Sequence, residues 1–231
     1  MTVANVVLVH GAFADGSSWA KIIPLLQAAG LRVTSVQNPL TSLADDVTAT
    51  RWALDTQDGP VLLVGHSWGG AVITEVGADP RVAGLVYIAA AAPDAGQSFN
   101  DWWKDWPPGP GLAELRPYGD QRLVLSLKGM QDGFVHDLPR DEAALVHAVQ
   151  TPLAARCFDD PLTQAAWRDK PCWYIVAEDD RIVAPALEIA TAERMTAEML
   201  FLRTSHAPML SQPKAVADFI IEAAQNLSAT T

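Results

Sequence analysis

The sequence predicts an α/β fold in which a mostly parallel, doubly wound sheet of about six strands carries helices on both faces. Short runs of Val, Ile and Leu alternate with stretches of helical length up to about residue 92 and again after residue 169. These apolar runs lack the alternation of a half-exposed strand, which is typical of parallel strands buried on both faces. The segment between the two regions is irregular, and we predict that it is a mostly helical lid insertion.

The first region predicts four strands with three helices between them. Gly30 ends the first helix, and Ser42 is the expected N-cap of the second helix. Asp45 and Asp46 stand in the first turn of that helix, where acidic groups suit the helix dipole. The predicted elements are strand 5–9, helix 18–30, strand 32–36, helix 42–56, strand 60–65, helix 68–78 and strand 82–91.

The alternation resumes after the irregular segment, with strand 171–178, helix 184–195, strand 198–203 and helix 213–227. We therefore predict one core made of residues 1–93 and 170–231, with residues 94–169 inserted as the lid. The insertion begins with the aromatic and proline-rich stretch DWWKDWPPGPG and continues with short amphipathic stretches such as RDEAALVHAVQ. A structureless loop of this length would be unusual in a compact domain, so helices are expected within it.

The excess of acidic over basic residues indicates which kinds of binding partner to expect. The 231 residues contain 27 Asp and Glu against 16 Lys and Arg, and the acidic residues are spread along the chain. Nucleic acids and anionic membranes attract clustered Lys and Arg, so neither is an expected partner. A soluble protein with a small-molecule partner is expected, and a homodimer is compatible with the sequence.

The two cysteines, Cys157 and Cys172, match no metal-ligand spacing and are expected to be packed rather than bonded. The N-terminal stretch shows neither a targeting signal nor a membrane span. A cytoplasmic location follows as the expectation.

The stretch VLLVGHSWGG at residues 61–70 runs from a buried strand directly into a serine flanked by glycines. The pentapeptide GHSWG fits G-x-S-x-G, and a strand before it and a helix after it are the setting in which this pattern marks a nucleophile. Such a sharp turn strains its central residue, and Gly65 and Gly69 supply room for it. We predict that Ser67 points into a crevice beside the Trp68 N–H at a helix N-terminus. The alternative is a turn that only caps the helix.

A serine nucleophile needs a general base, and five histidines compete for this role. His206 follows the last predicted strand, at the edge where functional residues of a parallel sheet gather, so it is the predicted base. The alternative for it is a loop histidine exposed to water. His10 ends the first strand, and His66 should point away from the serine hydroxyl. His136 and His147 lie in the insertion.

The orienting acid should come from a neighbouring strand end. The run YIVAEDDRIVAP offers Glu178, Asp179 and Asp180, and we predict that Asp180 is the acid. The alternatives are that one of its neighbours bonds His206 or that the run is a solvated turn. Asp94, after the preceding strand, is a second candidate, and its alternative is an ordinary turn residue.

The chain order Ser67, Asp180, His206 is the order of an α/β hydrolase, and four stretches resemble landmarks of that superfamily. These are VVLVHGAFADGSSW, GHSWGG, AEDDRIVAP and SHAPMLSQP. With the order of elements, they cover nearly the whole chain. The short stretch before the first strand most resembles the branch that holds plant methylesterases, pyrethroid-type carboxylesterases and hydroxynitrile lyases.

This resemblance implies an oxyanion hole after the first core strand. His10 and Gly11 would form the turn, and the N–H of Ala12 or Phe13 would join that of Trp68 in holding the developing negative charge. By the same resemblance, His10 is expected to be structural. The resemblance implies neither a metal nor an organic cofactor.

The same resemblance allows other enzyme classes of the superfamily to be compared with this sequence. Dehalogenases and epoxide hydrolases carry Asp at the elbow, so they are not expected. Hydroxynitrile lyases place Thr where Gly11 stands and Lys where Ala207 stands, so lyase activity is disfavoured. Perhydrolases, C–C hydrolases and aminopeptidases share the triad and stay open, as does a ligand receptor with little turnover. An aminopeptidase would need an acidic anchor, such as Asp101, Asp105 or Glu114.

The pocket is predicted to be apolar and aromatic. Trp68 stands beside the nucleophile, and the residues expected over the crevice are Phe13, Trp102, Trp103 and Trp106. For at least two of these tryptophans, packing of the lid against the sheet is the alternative. The sequence therefore predicts a serine carboxylesterase acting on an uncharged ester with a bulky or aryl part.

Overall fold

The computed structural model describes residues 3–229, which are built around a six-stranded parallel sheet. The strands are β1 (Asn5–Val9), β2 (Arg32–Val36), β3 (Val61–His66), β4 (Val82–Ile88), β5 (Leu115–Tyr118), β6 (Arg122–Leu125), β7 (Leu153–Ala154), β8 (Cys172–Ala177) and β9 (Glu198–Leu202). The α-helices are α1 (Ile23–Ala28), α2 (Leu43–Asp55), α3 (Trp68–Val76), α4 (Phe99–Trp103), α5 (Leu127–Gly129), α6 (Arg140–Val149), α7 (Pro185–Arg194), α8 (Pro208–Ser211) and α9 (Pro213–Ala229).

The large sheet has the strand order β2-β1-β3-β4-β8-β9, and every neighbouring pair is parallel. The crossover from β1 to β2 runs along the sheet in the opposite direction to the crossover from β2 to β3. Because such crossovers are right-handed, α1 and α2 cover opposite faces. α1 packs with α9, and α2 packs with α3, as this arrangement requires. The predicted α/β class with six parallel core strands and helices on both faces is confirmed.

Two predicted elements differ from the structure. The helix expected over residues 18–30 is instead a 3-10 turn at Gly16–Trp19 followed by α1, which has Pro24 in its first turn. Proline lacks an amide N–H, so it suits the first turn of a helix and not its interior. The strand expected over residues 82–91 ends at Ile88, because Ala89 has a φ of 45° and leaves the extended conformation.

We call residues 94–169 the cap segment, since they lie between β4 and β8. Besides α4, α5, α6 and short 3-10 and π turns, this segment contains a small antiparallel sheet of β5, β6 and β7. The sequence did not predict this sheet. Its strands have four, four and two residues, and those of β5 are half-buried or exposed, so they produce no continuous apolar run.

Both cysteines are buried and free, and burial is the main cause that raises the pKa of each thiol to about 12. They are therefore packed thiols, as predicted. Across residues 3–229, no helix combines the length and the apolar character that spanning a lipid bilayer requires.

Candidate active site

The turn between β3 and α3 presents Ser67 with a φ of 52° and a ψ of −119°, a conformation that costs free energy for any residue with a side chain. The neighbouring glycines make the turn sterically feasible. A Cβ on Gly65 would lie 2.6 Å from the carbonyl oxygen of Gly69, and a Cβ on Gly69 would collide with the carbonyl oxygen of Val9. The sequence therefore folds into the strained strand-to-helix turn that the GHSWG pattern predicts.

Ser67, His206 and Asp180 lie in one chain of hydrogen bonds. The Oγ atom of Ser67 is 2.8 Å from Nε2 of His206, and Nδ1 of His206 is 2.5 Å from Oδ2 of Asp180. The side chains of His206 and Asp180 are fully buried. A carboxylate can only accept at this position, so Nδ1 carries the proton and Nε2 is free to accept the serine proton.

The turn after β8 holds the Asp180 carboxylate in place. Its Oδ1 atom accepts from the backbone N–H of Ile182 at 2.6 Å and from that of Val183 at 3.1 Å. With the bond to His206, the two oxygens receive three hydrogen bonds. Bonds of this kind stabilise the ionised form of a carboxyl group.

His66 supports the loop that carries His206. Its Nε2 atom lies 2.8 Å from the backbone oxygen of His206, and because a carbonyl only accepts, Nε2 carries the proton and donates. Burial, followed by the neighbouring His206, lowers the pKa of His66 well below 6.5, so the ring is neutral. Phe134 packs edge-on against both imidazoles, with centroids 6.0 Å and 5.0 Å away. As predicted, His66 does not contact the serine hydroxyl through a hydrogen bond.

The cap segment contacts both loops that carry the predicted acid and the predicted base. Nε2 of His136 lies 2.8 Å from the backbone oxygen of Asp179, and Oδ2 of Asp137 accepts from the N–H of Ser205 at 2.9 Å. Asp179 and Ser205 directly precede the acid and the base in sequence. The positions of the two loops therefore depend on the cap segment as well as on the sheet.

The predicted oxyanion donors lie around the elbow. Within residues 3–229, the backbone N–H groups of Ala12, Phe13 and Trp68 have no protein acceptor. Phe13 has a φ of 58°, so the loop after β1 is itself in an unusual conformation. The structure brings this loop to the nucleophile, since Ala12, Phe13, Ser67 and Trp68 line one cavity.

His10 has a structural role. Its buried ring accepts from the N–H of Asn38 at Nε2, 2.9 Å away, so Nδ1 carries the proton and bonds the Gly11 oxygen at 2.9 Å. Burial lowers the pKa of His10, which keeps the imidazole neutral. These two hydrogen bonds of His10 hold the loop after β1 in position.

Asp94, the second candidate for the acid, lies in an ion pair with Arg168. The Arg168 guanidinium, which bonds the Asp94 carboxyl, holds the pKa of that carboxyl below its usual value. The same guanidinium packs over the ring of Trp167, 4.5 Å from its centroid. Asp94 therefore joins the two ends of the cap segment, and the structure brings Asp180 to His206 instead.

The cavity at Ser67 is small and mostly apolar, with a volume of about 10 Å³. Of the residues predicted to contact substrate, Phe13 and Trp103 lie in its wall. Sequence reasoning missed the other side chains of the wall, which come from the cap segment and the acid loop. They are Phe99, Leu112, Phe134, Phe158, Ile182 and Val183.

Two predicted pocket residues lie elsewhere, which corrects the sequence prediction. The ring of Trp102 is buried against α7, where its Nε1 donates to Oγ1 of Thr191 at 3.0 Å. Trp106 lines a separate surface cavity of about 240 Å³, next to Trp103 and Pro107. Both side chains pack the cap segment onto the core, which is the alternative that the sequence left open for two of the tryptophans.

Two acidic residues near the site were not predicted to take part in it. Asp46 accepts from the indole N–H of Trp68 at 2.7 Å and from the N–H of Leu40 at 2.8 Å. Glu188 lies on α7, behind the acid loop, and is fully buried. Each occupies the buried face of its helix, and an acidic residue on an apolar face is the sequence signal that could have identified them.

Within residues 3–229, no cluster of three or more His, Cys, Asp or Glu side chains could hold a metal ion.

Comparison with known proteins gives consistent matches over nearly the whole chain. The model of the Alpha/beta hydrolase family matches residues 6–219. The pyrethroid hydrolase of Sphingobium wenxiniae is 25% identical over 256 residues, which cover 96% of this chain and 88% of the relative. Methylesterase 2 of Arabidopsis thaliana is 26% identical over 252 residues, which cover 95% of each chain. A solved pyrethroid hydrolase structure has a TM-score of 0.83 and 25% identity, over 97% of this chain and 98% of that one.

Proposed function

The chain belongs to the alpha/beta hydrolase family, in the branch of methylesterases and pyrethroid hydrolases, and we propose on this basis that it is a serine carboxylesterase. One observation carries the proposal: the hydrogen-bonded chain from Ser67 through His206 to Asp180, at a strained turn beside free backbone N–H groups. Two relatives are named a pyrethroid hydrolase and a methylesterase, which supports the same reaction class.

In the proposed reaction, Ser67 Oγ attacks the ester carbonyl while its proton passes to Nε2 of His206. The N–H groups of Ala12 and Trp68 stabilise the oxyanion, and Asp180 stabilises the imidazolium. His206 then protonates the leaving alcohol, which leaves an acyl group on the serine. His206 next deprotonates a water molecule that attacks this acyl group, and the acid is released.

The walls of the cavity support an uncharged substrate with apolar or aryl parts. Phe99, Trp103 and Phe158 come together there, with the Phe99 and Phe158 rings stacked at a centroid distance of 4.7 Å. Such rings bind apolar groups and offer no hydrogen-bonding partner for a charged group. A cavity of about 10 Å³ cannot hold an acyl group, so entry of substrate requires movement of these side chains.

A hydroxynitrile lyase is not favoured. A Cβ at Gly11 would lie 2.7 Å from Cβ of Ser67, so a threonine does not fit where the lyases carry one. Ala207 stands where they carry lysine, and without that cation a departing cyanide has no charge partner.

The proposal is tested by hydrolysis of p-nitrophenyl esters from acetate to octanoate. Wild type is expected to release nitrophenol, and Ser67→Ala is expected to lose the activity with an unchanged fold. A fluorophosphonate probe should add its mass to the peptide that contains Ser67, and Ser17→Ala, at an exposed serine, should label and turn over like wild type.

Hydrolysis that survives in Ser67→Ala would overturn the assignment. An inert wild type that still takes up the probe at Ser67 would instead direct the search to other leaving groups. An inert wild type without labelling would favour a ligand receptor.

A further inference from the structure

Glu188 is a fully buried carboxyl group directly behind the proposed acid. It lies on α7, and its Oε2 atom accepts from the backbone N–H of Ala177 at 2.9 Å. Ala177 ends β8, and Asp180 follows three positions later. Glu188 is therefore attached to the start of the turn that presents Asp180.

The Glu188 carboxyl has one oxygen without a donor and lies against a second carboxyl group. Its Oε1 atom is buried and receives no N–H or O–H from any residue between 3 and 229. The Glu188 carboxyl makes side-chain hydrogen-bonding contact with the carboxyl of Asp180. No lysine or arginine in the described part of the chain forms an ion pair with Glu188.

Two carboxyl groups in contact cannot both be ionised without a nearby cation, so one of them holds a proton. Asp180 receives hydrogen bonds from Ile182, Val183 and His206, whereas Glu188 receives one from Ala177. The negative charge is therefore better stabilised on Asp180. Burial, followed by the charge of Asp180, raises the pKa of Glu188 well above its usual value.

Tyr174 is a further titratable group close to Glu188, and its phenol has its own partners. Its hydroxyl donates to the backbone oxygen of Ala90 at 2.7 Å and accepts from the N–H of Ala90 at 2.9 Å. Burial raises the pKa of Tyr174 well above its usual value. The phenol therefore stays neutral and cannot supply a charge or a proton to Glu188.

We propose that Glu188 is a positioning residue that, as a neutral carboxylic acid, donates its O–H to the Asp180 carboxylate and fixes that group in line with His206. The proposal rests on the proposed esterase function, in which Asp180 orients the general base. In this arrangement the Asp180 carboxylate receives a further hydrogen bond beside those from Ile182, Val183 and His206, which restricts its rotation. Glu188 itself touches neither substrate nor the reacting atoms.

Glu188→Gln and Glu188→Leu separate this role from simple packing. The Gln amide can still donate to Asp180 and accept from Ala177, whereas Leu fills similar space and does neither. We expect Glu188→Gln to stay within about threefold of the wild-type kcat with an unchanged midpoint of the acidic limb of the pH profile. We expect Glu188→Leu to lose about tenfold to a hundredfold in kcat with an unchanged KM, since misplacement of the acid disorders the base. Glu193→Gln, at an exposed position of the same helix, is the matched control and should match wild type in both readouts.

An infrared difference spectrum tests the proton without any substrate. Wild type minus Glu188→Gln, at a pH of about 8 where exposed carboxyl groups are ionised, should contain the carbonyl stretch of a protonated carboxylic acid. This spectrum shows whether Glu188 is protonated even if Glu188→Leu does not fold or if no ester is hydrolysed. A failure of the proposed esterase function can therefore be distinguished from a failure of the proposed role of Glu188.

Three results would overturn the role of Glu188. One is a difference spectrum without the protonated carboxyl band. Another is an acidic limb that moves to lower pH in Glu188→Gln, because that shift means that the wild-type side chain carries a negative charge. The third is equal activity of the Gln and Leu variants, which would reduce Glu188 to a packing residue.

Discussion

The indole N–H of Trp68 donates to the buried carboxylate of Asp46 at 2.7 Å, which ties the residue after the nucleophile to helix α2. Asp46 is fully buried, and burial is the main cause that raises its pKa from 3.8 to about 6. The hydrogen bonds from Trp68 and Leu40 oppose this shift without cancelling it. The anchor of Trp68 is therefore a group that titrates near neutral pH.

Asp46 should make the protein less stable as the pH rises from about 4 to about 6. In this range the folded form holds a proton that the unfolded form has released, so the free energy of unfolding falls with pH. The shift from 3.8 to about 6 corresponds to a loss of about 3 kcal/mol, complete above the folded pKa. Urea unfolding of wild type and Asp46→Asn at several pH values measures this loss as the difference between the two curves.

The difference between the two proteins isolates Asp46 from the other carboxyl groups. Paired carboxyls such as Asp79 and Asp94 have lowered pKa values and act in the opposite direction at lower pH, but they are present in both proteins. Asp46→Asn also loses a hydrogen-bond acceptor, which displaces its curve without changing the slope. Parallel curves for the two proteins would contradict the prediction.

Asp180→Asn should lower kcat far more than Asp94→Asn. The Asn amide can place a donor against Nδ1 of His206 and favour the wrong tautomer, a change that costs about 10⁴-fold in serine proteases. Asp94 bonds Arg168 at the surface, so its loss should cost less than about 1 kcal/mol of stability and leave kcat within about twofold. Steady-state kinetics on one ester compares the two variants, and the reverse ranking would move the acid to Asp94.

Trp103→Ala should shift the preferred ester towards longer acyl chains. Trp103 lies in the walls of both the cavity at Ser67, of about 10 Å³, and the surface cavity of about 240 Å³ that Trp106 lines, so its removal joins them. We expect the ratio of kcat/KM for octanoate to that for acetate to rise roughly tenfold, as pocket contacts worth 1–3 kcal/mol allow. Trp102→Phe, which removes a cap contact outside the cavity, should leave this ratio unchanged. An unchanged ratio in Trp103→Ala would mean that longer acyl chains do not reach Ser67 through the position of the Trp103 side chain.

The core and the meeting of Ser67, Asp180 and His206 could be predicted from the sequence because local rules determine them. A buried parallel strand reads as a continuous apolar run, and the residues that follow it lie at one edge of the sheet. Ser67, Asp180 and His206 each follow such a run, and the structure brings them together. The G-x-S-x-G pattern adds a steric requirement that only glycines meet at positions 65 and 69.

The wall of the cavity could not be predicted in the same way, because it depends on contacts between distant segments. Trp102 and Trp103 are adjacent in a five-residue helix, yet one packs on α7 and the other faces the cavity. Phe158 reaches the same cavity from a 3-10 turn far along the chain. Short elements of this kind have no periodicity from which a buried face could be assigned.

Gly11→Ala should lower kcat strongly with little loss of fold. The added Cβ would lie 2.7 Å from Cβ of Ser67 and 3.0 Å from Nδ1 of His66, so the loop after β1 must move away from the elbow. Because Ser67 is held at a φ of 52° by tight contacts of its neighbours, the elbow cannot move instead. A displacement of about 1 Å between the nucleophile and the oxyanion donors should cost about a hundredfold in kcat. Steady-state kinetics measures the loss in kcat, and circular dichroism checks that the variant is folded. A wild-type kcat in Gly11→Ala would mean that the loop after β1 does not form the oxyanion hole.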